Sequence, residues 1–206
     1  IISEPVKAME NVIDVSCGSS DTTAAVTADG VLWAWGAPVR QLGIGSEDLA
    51  PVQEPVQVME DVVNVESGPD TMAAIAADGA LWMWGINNRG QIGQGDGSPN
   101  YYFAPTKVME DITYVACSGR TTAAIQADGT AWAWGDNIYA QLGTGDRIQS
   151  FVPVEMQFAT GNPDLSPWVD PEPSAEPAPE EPEAEELPDV TEEPEEPEQP
   201  SHPEAY

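Results

Sequence analysis

One pattern is written three times between residues 5 and 158, at a spacing of 49–50 residues. PVKAME (5–10) returns as PVQVME (55–60) and PTKVME (105–110), and weakly as PVEMQF (153–158). TTAAVTADG (22–30) returns as TMAAIAADG (71–79) and TTAAIQADG (121–129), and QLGIG (41–45) as QIGQG (91–95) and QLGTG (141–145). A unit of this length cannot bury its apolar residues alone, so neighbouring units must cover one another. Such a period belongs to propellers and solenoids rather than to a globule around one core.

Within each unit the pattern is that of strands. In NVIDVSCG (11–18), Val12, Asp14 and Ser16 alternate with Ile13, Val15 and Cys17, which predicts one mostly polar and one apolar face. Two short runs flank Ala28-Asp29-Gly30, a tight hairpin signal that recurs at Asp78-Gly79 and Asp128-Gly129. Gly36, Gly85 and Gly135 end the second run, a loop closed by Gln-Leu-Gly or Gln-Ile-Gly follows, and the Pro-Val or Pro-Thr segment supplies a fourth strand. Four short antiparallel strands per unit, with no helical periodicity, predict an all-β chain of propeller blades. The units fall at about 5–54, 55–104 and 105–158.

The run from VSCG through AAVTADGVLWAWG to QLGIGS resembles the regulator of chromosome condensation repeat. That repeat carries, in order, a Gly, Thr-Ala-Ala, Asp-Gly, Trp-Gly, a loop Asn and Gly-Gln-Leu-Gly. The second unit fits best, with Gly68, Ala73, Ala74, Asp78, Gly79, Trp84, Gly85, Asn87, Gly90, Gln91, Ile92 and Gly93. The third keeps Asn137 but has Ala140 before Gln141, and the first, with APVR at 37–40, is one residue shorter and lacks the Asn. The His often found before Thr-Ala-Ala is absent from all of them. The resemblance implies a β-propeller, usually seven-bladed, of which three blades are visible here. Closed propellers take about four to eight blades, and PVKAME at the start belongs to a preceding one. The expectation is therefore a stretch of a longer array, the alternatives being an open three-blade arc or an arc completed by another copy.

The tryptophan pairs decide where function is sought. Alternate strand residues share a face, so Trp33 points with Trp35, Trp82 with Trp84 and Trp132 with Trp134. Paired indoles can stack on sugars, yet recurrence at one place in every unit is what blade-to-blade packing requires. They are assigned to the scaffold, together with Gly36, Gly85 and Gly135. The loops after Trp-Gly differ between units (APVR, INNRG, DNIYA), as do SEDLAPVQE, DGSPNYYFA and DRIQSFV downstream. Variable loops on a repeated scaffold are where binding residues concentrate. The binding candidates there are Arg40, Asn88, Arg89, Tyr101, Tyr102, Phe103, Tyr139, Arg147 and Phe151, with the aromatic run at 101–103 foremost because Tyr and Arg dominate binding hot spots.

Catalytic and metal chemistry find little support. His202, the one histidine, lies in the C-terminal segment, and no phosphate-cradling or dinucleotide motif is present. The Asn, Asp and Gly of INNRGQIGQGDG suit turns better than the six or so converging oxygens of a calcium site. No cofactor, metal or enzymatic activity is expected. Cys17 and Cys117 stand at matching points of two units, as small core residues.

Charge divides the chain. Residues 1–158 hold all six basic residues against 20 acidic ones, whereas 159–206 hold 16 acidic residues, no Lys or Arg and 12 of the 20 prolines. A segment so charged and so poor in apolar residues cannot offset its ordering entropy, so 159–206 is expected to be a disordered, extended tail. The net charge of −30 excludes the counterion-releasing contacts of nucleic-acid binding, and no stretch reaches the length of an apolar membrane span. The resulting expectation is a non-catalytic module for an unidentified protein partner, on a secreted or surface bacterial protein with an acidic stalk. The alternatives are a carbohydrate-binding surface module, a structural spacer array and, from the resemblance alone, a guanine-nucleotide exchange regulator.

Overall fold

The structure is a computed structural model that describes residues 4, 7–18, 21–37, 41–47, 50–95 and 100–157. Arg40 and the acidic segment 159–206 lie outside the described residues. Twelve strands form three four-stranded antiparallel sheets, each a simple meander. The first contains β1 (Val12–Gly18), β2 (Thr22–Thr27), β3 (Leu32–Gly36) and β4 (Val52–Met59). The second contains β5 (Val62–Ser67), β6 (Thr71–Ala76), β7 (Leu81–Ile86) and β8 (Tyr101–Met109). The third contains β9 (Ile112–Ser118), β10 (Thr121–Gln126), β11 (Ala131–Gly135) and β12 (Ser150–Glu155). The Pro-Val and Pro-Thr segments that begin at Pro55, Pro105 and Pro153 thus fall in the last strand of each sheet, and the second and third sheets begin after a two-residue crossover.

Backbone chemistry sets both kinds of turn. Asn11, Asp61 and Asp111, which precede the first strand of each sheet, take left-handed φ of 56°, 60° and 58°, a region that Asn and Asp tolerate better than other side chains. In the β2–β3 hairpin only Gly30 has positive φ; its N–H donates to Thr27 O at 2.8 Å while Thr27 N–H donates to Val31 O at 3.0 Å. The Ala-Asp-Gly loop is therefore a three-residue turn with glycine in the left-handed position, the tight hairpin that the sequence signalled.

The expected alternation in the first strand of each sheet is broken by a bulge. Register shifts fall between Val12 and Asp14 and between Val62 and Asn64. Val62 therefore joins Val65 in one apolar cluster and Ile112 joins Val115 in the next, three residues apart instead of two, while Val63 is left 49% exposed. The faces of β3, β7 and β11 follow the expectation. Trp82 and Trp84 enter the cluster that β7 shares with the first sheet, and Leu81 and Met83 enter the one shared with the third.

The core consists of two joints. In the first, Ala24, Val26, Leu32 and Ala34 of sheet one meet Val62, Val65, Met72, Ala74 and Trp84 of sheet two. In the second, Ala73, Ile75, Leu81 and Met83 of sheet two meet Ile112, Val115, Ala124 and Trp134 of sheet three. Trp84 and Trp134 are fully buried, and each indole N–H donates to a backbone carbonyl of the preceding sheet: Trp84 to Gln41 at 2.8 Å and Trp134 to Gln91 at 2.9 Å. Removing either indole would leave a cavity; at Trp84 the Gln41 carbonyl would also lose its indole donor, whereas the Gln91 carbonyl would keep the Thr122 hydroxyl at 2.8 Å.

Candidate functional site

The connections from third to fourth strand are the long loops of the fold. After β7, buried Asn87 accepts the Ile92 N–H through Oδ1 at 3.0 Å, and Gln91 Oε1 accepts the Arg89 N–H at 2.7 Å. After β11 the same two bonds recur: Leu142 N–H to Asn137 Oδ1 at 2.9 Å and Tyr139 N–H to Gln141 Oε1 at 2.9 Å. Asn137 Nδ2 also donates to the carbonyls of Asp146 (3.1 Å) and Ile148 (3.0 Å), which pins the far half of that loop. Side chains within each loop thus replace a ladder and fix its shape.

What these bonds display is a pair of outward residues at each apex. Asn88 and Arg89 are exposed on the second sheet's loop, and Ile138 and Tyr139 on the third's, at 49% and 80%. Arg147 is exposed farther along the third loop. Ile138 was missed by sequence reasoning; its signal was the apolar residue standing where the second unit has Asn88.

The aromatic candidates are placed differently. Tyr101, Tyr102 and Phe103 lie on the outer strand β8 and Phe151 on β12, where the sequence had put them in loops. Tyr102 packs against both apolar clusters. Phe103 O accepts the Gly45 N–H and Phe151 O the Gly95 N–H, each at 2.8 Å, tying one sheet's loop to the next sheet's outer strand. The ring of Phe151 lies so near Gly90 that a Cβ there would come within 2.6 Å of it. Tyr101 and Phe103 stack on each other, centroids 5.9 Å apart and planes 7° from parallel. These rings are spoken for by the scaffold to a degree that the apex residues are not.

A groove of about 660 Å³ runs beside the third apex, lined by Ala123, Arg120, Asp136, Ile138, Tyr139 and Gln141 among others. Asp136 is buried and lies 3.9 Å from the exposed Arg120 guanidinium. Charge is otherwise sparse inside. Glu66 is raised above its ordinary range by burial and then by the Asp14 carboxylate. Burial pushes the Cys117 thiol up to about 12, which holds it in the unreactive protonated form. Among the described residues no group of three or more His, Cys, Asp or Glu side chains could hold a metal, and no helix is long and apolar enough to cross a membrane.

Comparisons agree with this architecture. The Regulator of chromosome condensation (RCC1) repeat matches residues 78–125 and 128–170, and a second description of the same repeat matches 12–39, 62–91 and 112–141. No curated protein matches by sequence. Among solved structures, human WBSCR16 is 24% identical with a TM-score of 0.62 over 75% of this chain and 40% of its own. Prp20p from Saccharomyces cerevisiae is 23% identical with a TM-score of 0.63 over 72% of this chain and 39% of its own. The chain thus spans about two-fifths of each. With three matched repeats, each folded as a four-stranded sheet joined to its neighbour through a buried tryptophan, the chain belongs to the RCC1 repeat family of β-propellers.

Proposed function

We propose that the chain is a non-catalytic protein–protein interaction module that presents its pinned loop apices to a protein partner. The observation that carries this is the contrast at the loops: Asn87, Gln91, Asn137 and Gln141 make the same bonds in both, while the exposed apices differ, Asn88-Arg89 in one and Ile138-Tyr139 in the other. A scaffold that repeats its supports and varies its tips is suited to recognition. Prp20p, built from the same repeat, is described with its binding properties to Gsp1p and histones and as bound by Kap60, which supports a protein as the partner class. Nucleotide exchange is not assigned, because no partner-contacting residue can be carried over to this sequence. The composition of residues 159–206 supports a spacer role on a secreted or surface protein, which cell fractionation with an antibody to the chain would check.

A photocrosslinker placed at position 138 would identify the partner, and titration calorimetry would then compare the chain with its R89A/Y139A double variant. Binding should weaken at least about tenfold with an unchanged circular dichroism melting curve. Equal affinity of the two proteins would sink the proposal.

A further inference from the structure

At the hairpin end of each sheet, away from the loop apices, a pocket opens beside the first tryptophan of the pair. In sheet two its walls are Met59, Glu60, Asp61, Ala76, Asp78 and Trp82, around a volume of about 290 Å³. The same place is a pocket in sheet one, at Glu10, Asp29 and Trp33, and in sheet three, at Asp111, Gln126 and Asp128.

The three pockets differ in what their polar groups are bonded to. In sheet one the Trp33 N–H donates to Thr27 Oγ1 at 3.3 Å, and Glu10 is paired with Lys7. In sheet three the Trp132 N–H donates to Gln126 Oε1 at 3.0 Å, and Glu110 is paired with Lys107 at 2.9 Å. Sheet two departs at both points. Ala76 stands where the other units have Thr27 and Gln126, and among the described residues the Trp82 N–H meets no acceptor. Gln57 stands where they have Lys7 and Lys107, and it gives Glu60 a neutral amide at 2.9 Å instead of an ammonium. Lys107 is the register partner of Trp82 on β8, but its ammonium is held by Glu110, with the field of Asp78 a smaller influence. Two replacements in one near-identical unit thus leave an apolar pocket with an unused indole donor and an acidic rim.

We propose that the second-sheet pocket receives an arginine side chain of a protein partner, at a face separate from the loop apices. At about 290 Å³ it falls just below the range of small-molecule pockets, about 300–1,000 Å³, and suits one long side chain. Glu60, Asp61 and Asp78 call for a cation. A planar guanidinium can lie along the Trp82 ring while its fork reaches two carboxylates, which a compact ammonium cannot do. The indole N–H calls for an acceptor beside that cation, and a peptide carbonyl next to the arginine supplies one without charge. Free arginine would bring its own carboxylate to an acidic rim, so the occupant is a residue within a chain.

Heteronuclear NMR of the full chain tests this, with the Trp82 indole cross-peak identified by its loss in W82F. The probe is the capped peptide acetyl-Gly-Gly-Arg-Gly-Gly-amide, with lysine and citrulline versions beside it. The arginine peptide should shift the Trp82 cross-peak saturably, with millimolar affinity that falls as salt rises. Citrulline keeps the shape without the charge and should bind at least about tenfold more weakly; lysine should bind about threefold more weakly. A76Q should abolish the response with circular dichroism unaltered, because its side chain takes the indole N–H as Gln126 does in sheet three. E60Q should weaken binding about threefold, as loss of one exposed ion pair does. No saturable shift, citrulline or lysine binding as well as arginine, or A76Q or E60Q responding like the unaltered chain would each overturn the proposal.

Discussion

Gly85 and Gly45 share a left-handed backbone, with φ of 108° and 75°, and stand in opposite surroundings. A Cβ on Gly85 would come 2.5 Å from Asp70 O and 2.9 Å from Thr71 Cα, whereas nothing lies within 4 Å of one on Gly45. Gly45→Ala should therefore cost only the left-handed strain, about 1–2 kcal/mol. Gly85→Ala adds a clash with backbone that cannot yield, and should cost about 3 kcal/mol or more. Urea unfolding of both variants checks the difference, and equal midpoints would show that the carbonyl does not confine this glycine. The tryptophans separate in the same way. Trp84→Phe leaves Gln41 O without the indole donor in a sealed joint and should cost about 1–3 kcal/mol. Trp35→Phe, made on a half-buried outer face, should stay within about 0.5 kcal/mol. The two cysteines differ in kind as well: Cys17 is exposed and should be alkylated in the folded chain, whereas Cys117, with its thiol raised to about 12, should react only on unfolding.

At the scale of elements, the third-sheet hairpin is tied together by charge. Asp128 accepts the Thr130 N–H at 2.8 Å, and this bond is the main cause of its carboxyl lying below the ordinary 3.8. A depressed carboxyl contributes stability that is complete above 3.8 and is lost as pH falls through the folded value. The Thr130 amide resonance should thus move with an acid midpoint below 3.8, and D128N should abolish the titration; a midpoint at or above 3.8 would contradict the bond. Asn137 plays the corresponding part in its loop, where it holds Leu142, Asp146 and Ile148 at once. N137A should cost about 1–3 kcal/mol and accelerate hydrogen exchange at Leu142. The hairpins, the strand-ending glycines and the tryptophan faces were legible in the sequence because each depends on local chemistry repeated three times. The bulge beside Val12 and Val62 was not, since alternation cannot show that Val62 and Val65 share a joint. Nor was the placement of Tyr101 to Phe103 on a strand, because variability between units marks loops and outer strands alike. The loop apices were half legible: Asn88, Arg89 and Tyr139 stood out as polar or aromatic, while the exposed apolar Ile138 carried no such signal.

At the scale of the molecule, cohesion is a sum over joints between neighbours. Sheet two is covered on both faces, and its strand β6 is buried at every residue from Thr71 to Ala76. Sheets one and three each have one internal joint, and the difference shows in Val15 at 60% exposure and Ile125 at 42%. Opening an outer sheet therefore breaks one joint and opening the middle one breaks both, so exchange protection should follow position in the row. Amides of β6 and β7 should exchange slowest, near the rate of global unfolding, and those of β2 and β10 faster although the three hairpins have nearly the same sequence. Uniform protection across the three sheets would show instead that the row unfolds as one cooperative unit, with the joints too strong to open singly.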